Sequence, residues 1–182
     1  MEILQATTAD LDGILSLHRK YHIDSIDAAD KPDGFVTTNF SQTQIENLVG
    51  REKGVTIAVR DDRVVAYAMA ASWSFWSEWP FYRHMIAILP EYHLEGQPLS
   101  ITGSYQYGPI CIDGAVRGTG VFEKVFHASL RHMSARYPVM VTFINTINHR
   151  SYSAHTSKTP LRTVGNFHYN NNEYSMLACA TQ

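Results

Sequence analysis

Residues 110–122 read ICIDGAVRGTGVF: an apolar run, a turn, then two glycines ahead of a helical pattern. Gly118 and Gly120 remove Cβ atoms where the backbone must curl tightly and approach something closely. The first N–H groups of a helix have no intrahelical partner, and the helix dipole lies behind them. The chemistry such a segment suits is anion binding, above all of phosphate. The same residues also fit a plain glycine turn with no ligand. Two well-known phosphate loops do not match. A P-loop needs Lys and Ser/Thr after its last glycine, and here Val121 and Phe122 follow Gly120. A dinucleotide-binding turn needs a third glycine where Glu123 stands, and it usually follows the first strand of a fold.

Other reactive residues offer less. His18 and His22 are spaced i, i+4 and share a helix face, as a metal pair would. A zinc-protease helix would carry Glu where this chain has Arg19, and no third ligand suggests itself, so no metal is expected. Cys111 lies in an apolar run without a paired base, which argues against a nucleophilic thiol. With only one further cysteine, Cys179, the chain has neither a disulfide framework nor zinc spacing. Two free buried thiols suit a reducing compartment.

The elements that must position the glycine segment follow from periodicity. A short strand, Met1 to Ala6, precedes a helix with Thr8 as its N-cap and Leu11, Ile14, Leu15 and His18 on one face. Ser41 and Gln44 form a capping box ahead of a helix with Ile45, Leu48 and Val49 inward. Val55–Val59 and Val64–Ala71 form a hairpin about Asp61 and Asp62. Residues 72–103 are aromatic, interrupted by Pro80, Pro90 and Pro98, and carry no clear period. A strand from Ser104 to Ile112 leads into the glycine segment. A long amphipathic helix is expected from Gly118 to Arg136, with Val121, Phe122, Val125, Phe126, Leu130 and Met133 on its apolar face. A buried strand at Val139–Ile144, a short helix from Asn148 and two strands joined at Asn170–Asn172 close the chain. Strands and helices mix throughout. The expected fold is therefore mixed α/β: one domain over residues 1–182, with a central, mostly antiparallel sheet of about seven strands and about four helices.

Composition narrows the function further. The 182 residues are 45% hydrophobic and 18% charged, enough apolar material for a packed core and too little charge for a disordered chain. A formal net charge of −2 with no basic stripe argues against nucleic acid and anionic membranes as partners. The start, MEILQATTADLD, shows no secretory pattern, and no apolar run approaches the roughly 20 residues of a membrane span. A cytoplasmic protein is the expectation.

Arg117 and Gly120 match the first and fourth positions of the pattern Arg/Gln-x-x-Gly-x-Gly/Ala, and Ile110, Ile112 and Asp113 match the strand end that precedes it. On these residues the segment resembles the pyrophosphate loop of the GNAT superfamily of acyl-CoA-dependent N-acetyltransferases. Phe122 departs from the pattern, which carries Gly or Ala there. The likeness extends along nearly the whole chain through the order of elements. It includes the helix after the fifth strand, where the family places an Asn, a small residue three positions on and a Tyr seven on. Asn148, Ser151 and His155 occupy those places, with His155 replacing the Tyr.

The resemblance implies acetyl-CoA as acyl donor and an amine of a small molecule or peptide as acceptor, joined by direct transfer in a ternary complex. It implies that backbone groups of Ile110, Cys111 and Ile112 bind pantetheine, with a strand amide near Ile112 meeting the oxyanion. Amides across Val116, Arg117, Gly118, Thr119, Gly120 and Val121 cradle the pyrophosphate, and Asn148 and Ser151 flank the pantetheine arm. His155 is then the candidate proton donor to the departing thiolate. In the family, the segment after the third strand borders the acceptor. Here it holds Trp73, Trp76 and Trp79, and Glu78 is its one internal carboxylate. The tryptophans suit either a wall for a cation or ring, or core and a homodimer face; Glu78 suits a base or amine anchor. The loop at 23–40, with Asp24, Asp27, Asp30 and Asp33 against Lys31, sits where the family often builds the acceptor rim, though it equally suits a solvated loop. The alternative is a catalytically silent CoA-binding module of the same fold, motivated by Phe122 and the missing Tyr. A third reading, a pure interaction domain built on the aromatic segment, implies no CoA binding.

Overall fold

A computed structural model describes residues 1–29 and 34–182. In chain order the elements are β1 (Glu2–Gln5), α1 (Leu11–Lys20), α2 (Gln42–Gly50), β2 (Val55–Arg60), β3 (Arg63–Ala71), α3 (Trp73–Trp76), α4 (Pro80–Ile88), β4 (His93–Leu94), β5 (Gln97–Pro98), β6 (Ser104–Ile112), α5 (Val121–Ser134), β7 (Val139–Asn145), α6 (His149–Lys158), β8 (Arg162–Tyr169) and β9 (Asn172–Ala180). Seven strands form one sheet in the order β1-β2-β3-β6-β7-β9-β8, and β4 with β5 makes a separate two-stranded ribbon. Pairs β1–β2, β2–β3, β7–β9 and β8–β9 are antiparallel, whereas β6–β7 is parallel. This is the expected mixed α/β class. The chain divides into two compact units, each made of two stretches.

The first unit comprises Met1–Ala70 and Gly108–His132. Its β2–β3 hairpin turns at Asp61 and Asp62, whose φ values of 52° and 57° are those of a type I′ turn, a conformation Asp tolerates. The capping box of α2 forms as expected: the Gln44 amide donates to Ser41 Oγ (3.2 Å) and the Ser41 amide to Gln44 Oε1 (2.9 Å). Thr8 does not cap α1: a 3-10 turn at Thr8–Asp10 precedes the helix, with Thr7 as its N-cap and its amide and hydroxyl both donating to the Asp10 carboxylate (2.8 and 2.9 Å), and Asp10 is the N-cap of α1. Ile14, Ile45, Leu48, Ile57 and Phe126 are fully buried in this unit. α5 starts at Val121, not at Gly118, because φ values of 76° at Gly118 and 78° at Gly120 are left-handed and cannot continue a right-handed helix.

The second unit comprises Ala71–Tyr107 and Met133–Gln182. Here Ser104–Gln106 of β6 pairs with Val139–Val141 of β7, and β7 pairs with β9 along its whole length. β8 and β9 meet in a hairpin whose turn residues, Asn170 and Asn171, have φ values of 46° and 61°. Residues 72–103, which show no period in sequence, hold α3, α4 and the β4–β5 ribbon. Pro80 does not interrupt α4. It occupies the first turn, where its missing N–H costs nothing. The helices therefore number six among the described residues, against about four expected. Trp73, Trp76, Met85, Tyr105 and Met140 are buried in this unit. No helix among the described residues is long and apolar enough to cross a membrane.

Candidate functional site

β6 ends at Ile112, and Asp113 turns the chain. Its Oδ1 accepts from the Ala115 amide (2.9 Å), which starts a single 3-10 turn at Gly114–Val116. The Val116 amide donates to the Asp113 carbonyl (3.0 Å), that of Arg117 to Gly114 (3.4 Å) and that of Thr119 to Val116 (3.4 Å). Val116, Arg117 and Thr119 spend their N–H groups on the turn itself. Gly118, Gly120 and Val121 make none of these turn bonds. A Cβ added at Gly118 or Gly120 would meet nothing within 4 Å, so the space beside both is open. Lys124 closes the first α-helical bond, to the Gly120 carbonyl (3.3 Å), and the start of α5 lies directly behind these amides.

Charge gathers at the same turn. Arg117 Nε donates to the Ile112 carbonyl (3.2 Å), and its guanidinium lies over the Tyr21 ring, 5.3 Å from the centroid. Lys20 donates to Asp113 Oδ2 at 2.8 Å. Burial pushes the Asp113 carboxyl up, but the hydrogen bonds from Lys20 and the Ala115 amide outweigh it and leave its pKa below the usual value. Tyr21 was not legible as part of this site. Its hydroxyl accepts from the Gly114 amide at 2.6 Å across 93 positions of sequence, and no local pattern marks such a contact. Ile110 and Ile112 are half-buried and Cys111 is buried. Burial pushes the Cys111 thiol up to about 12, so it stays a neutral thiol near pH 7.

In the second unit, Asn148, Ser151 and His155 come together on α6. Asn148 is the N-cap, its Oδ1 accepting from the Ser151 amide (3.1 Å). His155 is 5% exposed, and its Nδ1 lies 2.8 Å from the Ser151 carbonyl and 3.3 Å from the Ser151 hydroxyl. A carbonyl only accepts, so Nδ1 carries the proton. Burial lowers the pKa of this histidine despite the bond to Ser151, and the ring is neutral near pH 7. Nε2 then holds the lone pair.

The aromatic segment has the opposite character. Trp73 is 2% exposed and Trp76 0%; their indole N–H groups donate to Ser104 Oγ (3.0 Å) and to the Gln106 carbonyl (3.3 Å). The Trp76 ring lies 4.9 Å from Phe75 and 4.7 Å from Tyr82. Both indoles face protein, so the wall reading of Trp73 and Trp76 gives way to the core reading. Glu78, in the same segment, is exposed. Of the acidic loop, Asp30, Lys31 and Asp33 lie outside the described residues. Asp24 lines a cavity of about 360 Å³ in the first unit, with His18, His22, Ser25, Asn39 and Phe40. His18 is committed: Nε2 donates to the Thr38 carbonyl (2.9 Å), so Nδ1 accepts from the Tyr67 hydroxyl (2.7 Å). Among the described residues no group of three His, Cys, Asp or Glu side chains could hold a metal ion.

No protein-family model and no curated protein matches the sequence. Solved structures do match over the whole chain. A ribosomal-protein-alanine N-acetyltransferase from Brucella melitensis is 15% identical, with 99% of each chain covered and a TM-score of 0.63. A Salmonella typhimurium protein solved with its cofactor acetyl-CoA is 12% identical over 100% of this chain and 94% of that one, with a TM-score of 0.65. A GNAT-family acetyltransferase from Streptococcus pneumoniae is 9% identical over 98% of each chain, with a TM-score of 0.62.

Proposed function

The chain has the fold of the GNAT-family acetyltransferases, and from that premise we propose that it is an acetyl-CoA-dependent N-acetyltransferase acting on a primary amine of a small molecule or peptide. The observation that carries this reading is the loop after β6. Gly118 and Gly120 are both left-handed, the space beside them is open, and their amides and that of Val121 precede a 14-residue helix. Those groups fit a pyrophosphate, with Arg117 adding a fixed positive charge beside them. Acetyl-CoA supplies the activated acetyl group. The half-buried Ile110 and Ile112 suit the apolar pantetheine arm; Asn148 and Ser151 are proposed as pantetheine residues on the resemblance.

The chain's own part in the chemistry is binding, orientation and one proton. The amine must lose a proton as its bond to the acetyl carbon forms, and the departing thiolate must gain one. His155 rests neutral with its lone pair on Nε2, so we assign it the carrier's role: Nε2 accepts a proton and then delivers it to the thiolate. Glu78 is retained as a counter-charge for a cationic amine, while Trp73 and Trp76 are reassigned to packing.

A second reading has its own observation. Phe122 stands where the loop pattern has Gly or Ala, and the one N–H of His155 is donated to the Ser151 carbonyl. A CoA-binding module without turnover would carry these features too. Acetyl transfer from labelled acetyl-CoA to a panel of small amines and peptide N-termini separates the two. The enzyme reading requires acetylated product above the uncatalysed rate, and CoA binding with no product from any amine favours the module.

A further inference from the structure

Tyr21, at the C-terminus of α1, touches the glycine loop although it belongs to neither β6 nor α5. Its hydroxyl takes the Gly114 amide proton at 2.6 Å, shorter than any of the turn's own amide bonds, which run from 2.9 to 3.4 Å. The ring of Tyr21 is buried, with the Arg117 guanidinium 5.3 Å and the Lys20 ammonium 5.2 Å from its centroid. A Cβ added at Gly114 would sit 3.4 Å from the hydroxyl, so the fit is close. Tyr21 is itself held on its far side. Its amide donates to the Leu17 carbonyl (3.3 Å), closing α1, and its carbonyl accepts from the Val36 amide (2.9 Å). Lys20, the preceding residue, ties Asp113 to the same helix end at 2.8 Å.

The turn needs such an anchor. A single 3-10 turn has poor hydrogen-bond geometry and little stability of its own, and Gly114 and Ala115 are exposed. Binding pays for any disorder that must be removed, so a loop already held in shape binds more tightly. We propose that Tyr21 is a positioning residue for the nucleotide half of acetyl-CoA: it holds the start of the loop through Gly114 and the guanidinium of Arg117 over its ring, so that the amides of Gly118, Gly120 and Val121 are set before the pyrophosphate arrives. The inference rests on the acetyl-CoA reading of the loop. Tyr21 touches no reacting atom; it acts through Gly114 and Arg117.

Tyr21→Phe removes the hydroxyl and keeps the ring, so it separates anchoring from packing. Two measurements on the full chain decide the matter: amide hydrogen exchange across 113–121 in the free protein, and CoA affinity by calorimetry. In Tyr21→Phe the loop amides are expected to exchange about tenfold faster, while those of β7 and β9 keep their rates. The CoA dissociation constant is expected to rise about five- to tenfold, the scale of one lost hydrogen bond. With saturating acetyl-CoA, kcat for an accepted amine stays within about twofold of wild type. If the loop exchanges at the same rate in both proteins, or if both bind CoA equally, the positioning role is overturned while the acetyl-CoA reading stands. If wild type binds no CoA, the acetyl-CoA reading falls first and the positioning role falls with it, whatever the exchange rates show.

Discussion

The glycine loop and the aromatic segment are the two stretches whose residue types most suggest binding, and they end in opposite conditions. At the loop, Gly118 and Gly120 carry no side chain, and a Cβ at either would meet nothing within 4 Å. At the aromatic segment the side chains are large, and Trp73 and Trp76 are closed inside the second unit with both indole N–H groups bonded. A backbone site announces itself in sequence, because glycine takes the left-handed conformation it needs more readily than any other residue. Side-chain chemistry does not, because the same indole serves a core or a ligand and its surroundings decide which.

The sharpest way to break this contrast is Trp76→Ala. As a fully buried ring it should cost about 3–5 kcal/mol of stability, measured by urea unfolding, with CoA affinity unchanged in the fraction that stays folded. Normal stability with a lost acceptor affinity would reverse the assignment. Next in size is His155→Gln, expected to lower kcat about a hundredfold with CoA affinity unchanged, since positioned proton transfer is commonly worth that much. Turnover within twofold of wild type would remove His155 from the chemistry. Gly120→Val tests the loop from the other side. Its Cβ meets open space, but φ of 78° disfavours a branched residue, so about 1–3 kcal/mol of local strain is expected. CoA binding should weaken by at least tenfold, and unchanged affinity would argue that the loop is a plain turn.

A smaller effect concerns pH. Burial lowers the pKa of His18 and His155 in the folded chain below the ordinary value of 6.5. The unfolded chain then binds more protons just below that value, so stability rises with pH through this window and is lost as pH falls from about 6.5. Denaturation midpoints between about pH 5 and 8 should show that slope, and His155→Gln should flatten it. A slope of the opposite sign would contradict the neutral buried rings. Least of all, Glu78→Gln should raise KM for a cationic amine by a few-fold and leave kcat alone.

Much of the fold was legible because it is written locally. β6 runs from Ser104 to Ile112 as its apolar pattern requires, the capping box of Ser41 and Gln44 forms, and Asp61 and Asp62 turn a hairpin with positive φ. Residues 72–103 were not legible, because Pro80 looks like a break whether it interrupts a helix or starts one. Of the site, the glycine loop was visible. The contact that steadies it was not, since Tyr21 meets Gly114 only once the first unit is folded. The tautomer of His155 was equally hidden, since it depends on the Ser151 carbonyl one turn earlier being free to accept.

If the loop after β6 holds the pyrophosphate of acetyl-CoA, that ligand must stabilise the folded chain, and thermal unfolding with and without it reads the effect. ATP and NAD serve as controls for any anion that carries a pyrophosphate. Ligand at 100 times its dissociation constant adds about 2.7 kcal/mol, and each kcal/mol moves the midpoint of a domain this size by roughly 2–4 °C. A rise of about 5–10 °C with acetyl-CoA, and little with either control, is the result predicted. An unmoved midpoint at millimolar acetyl-CoA would contradict it.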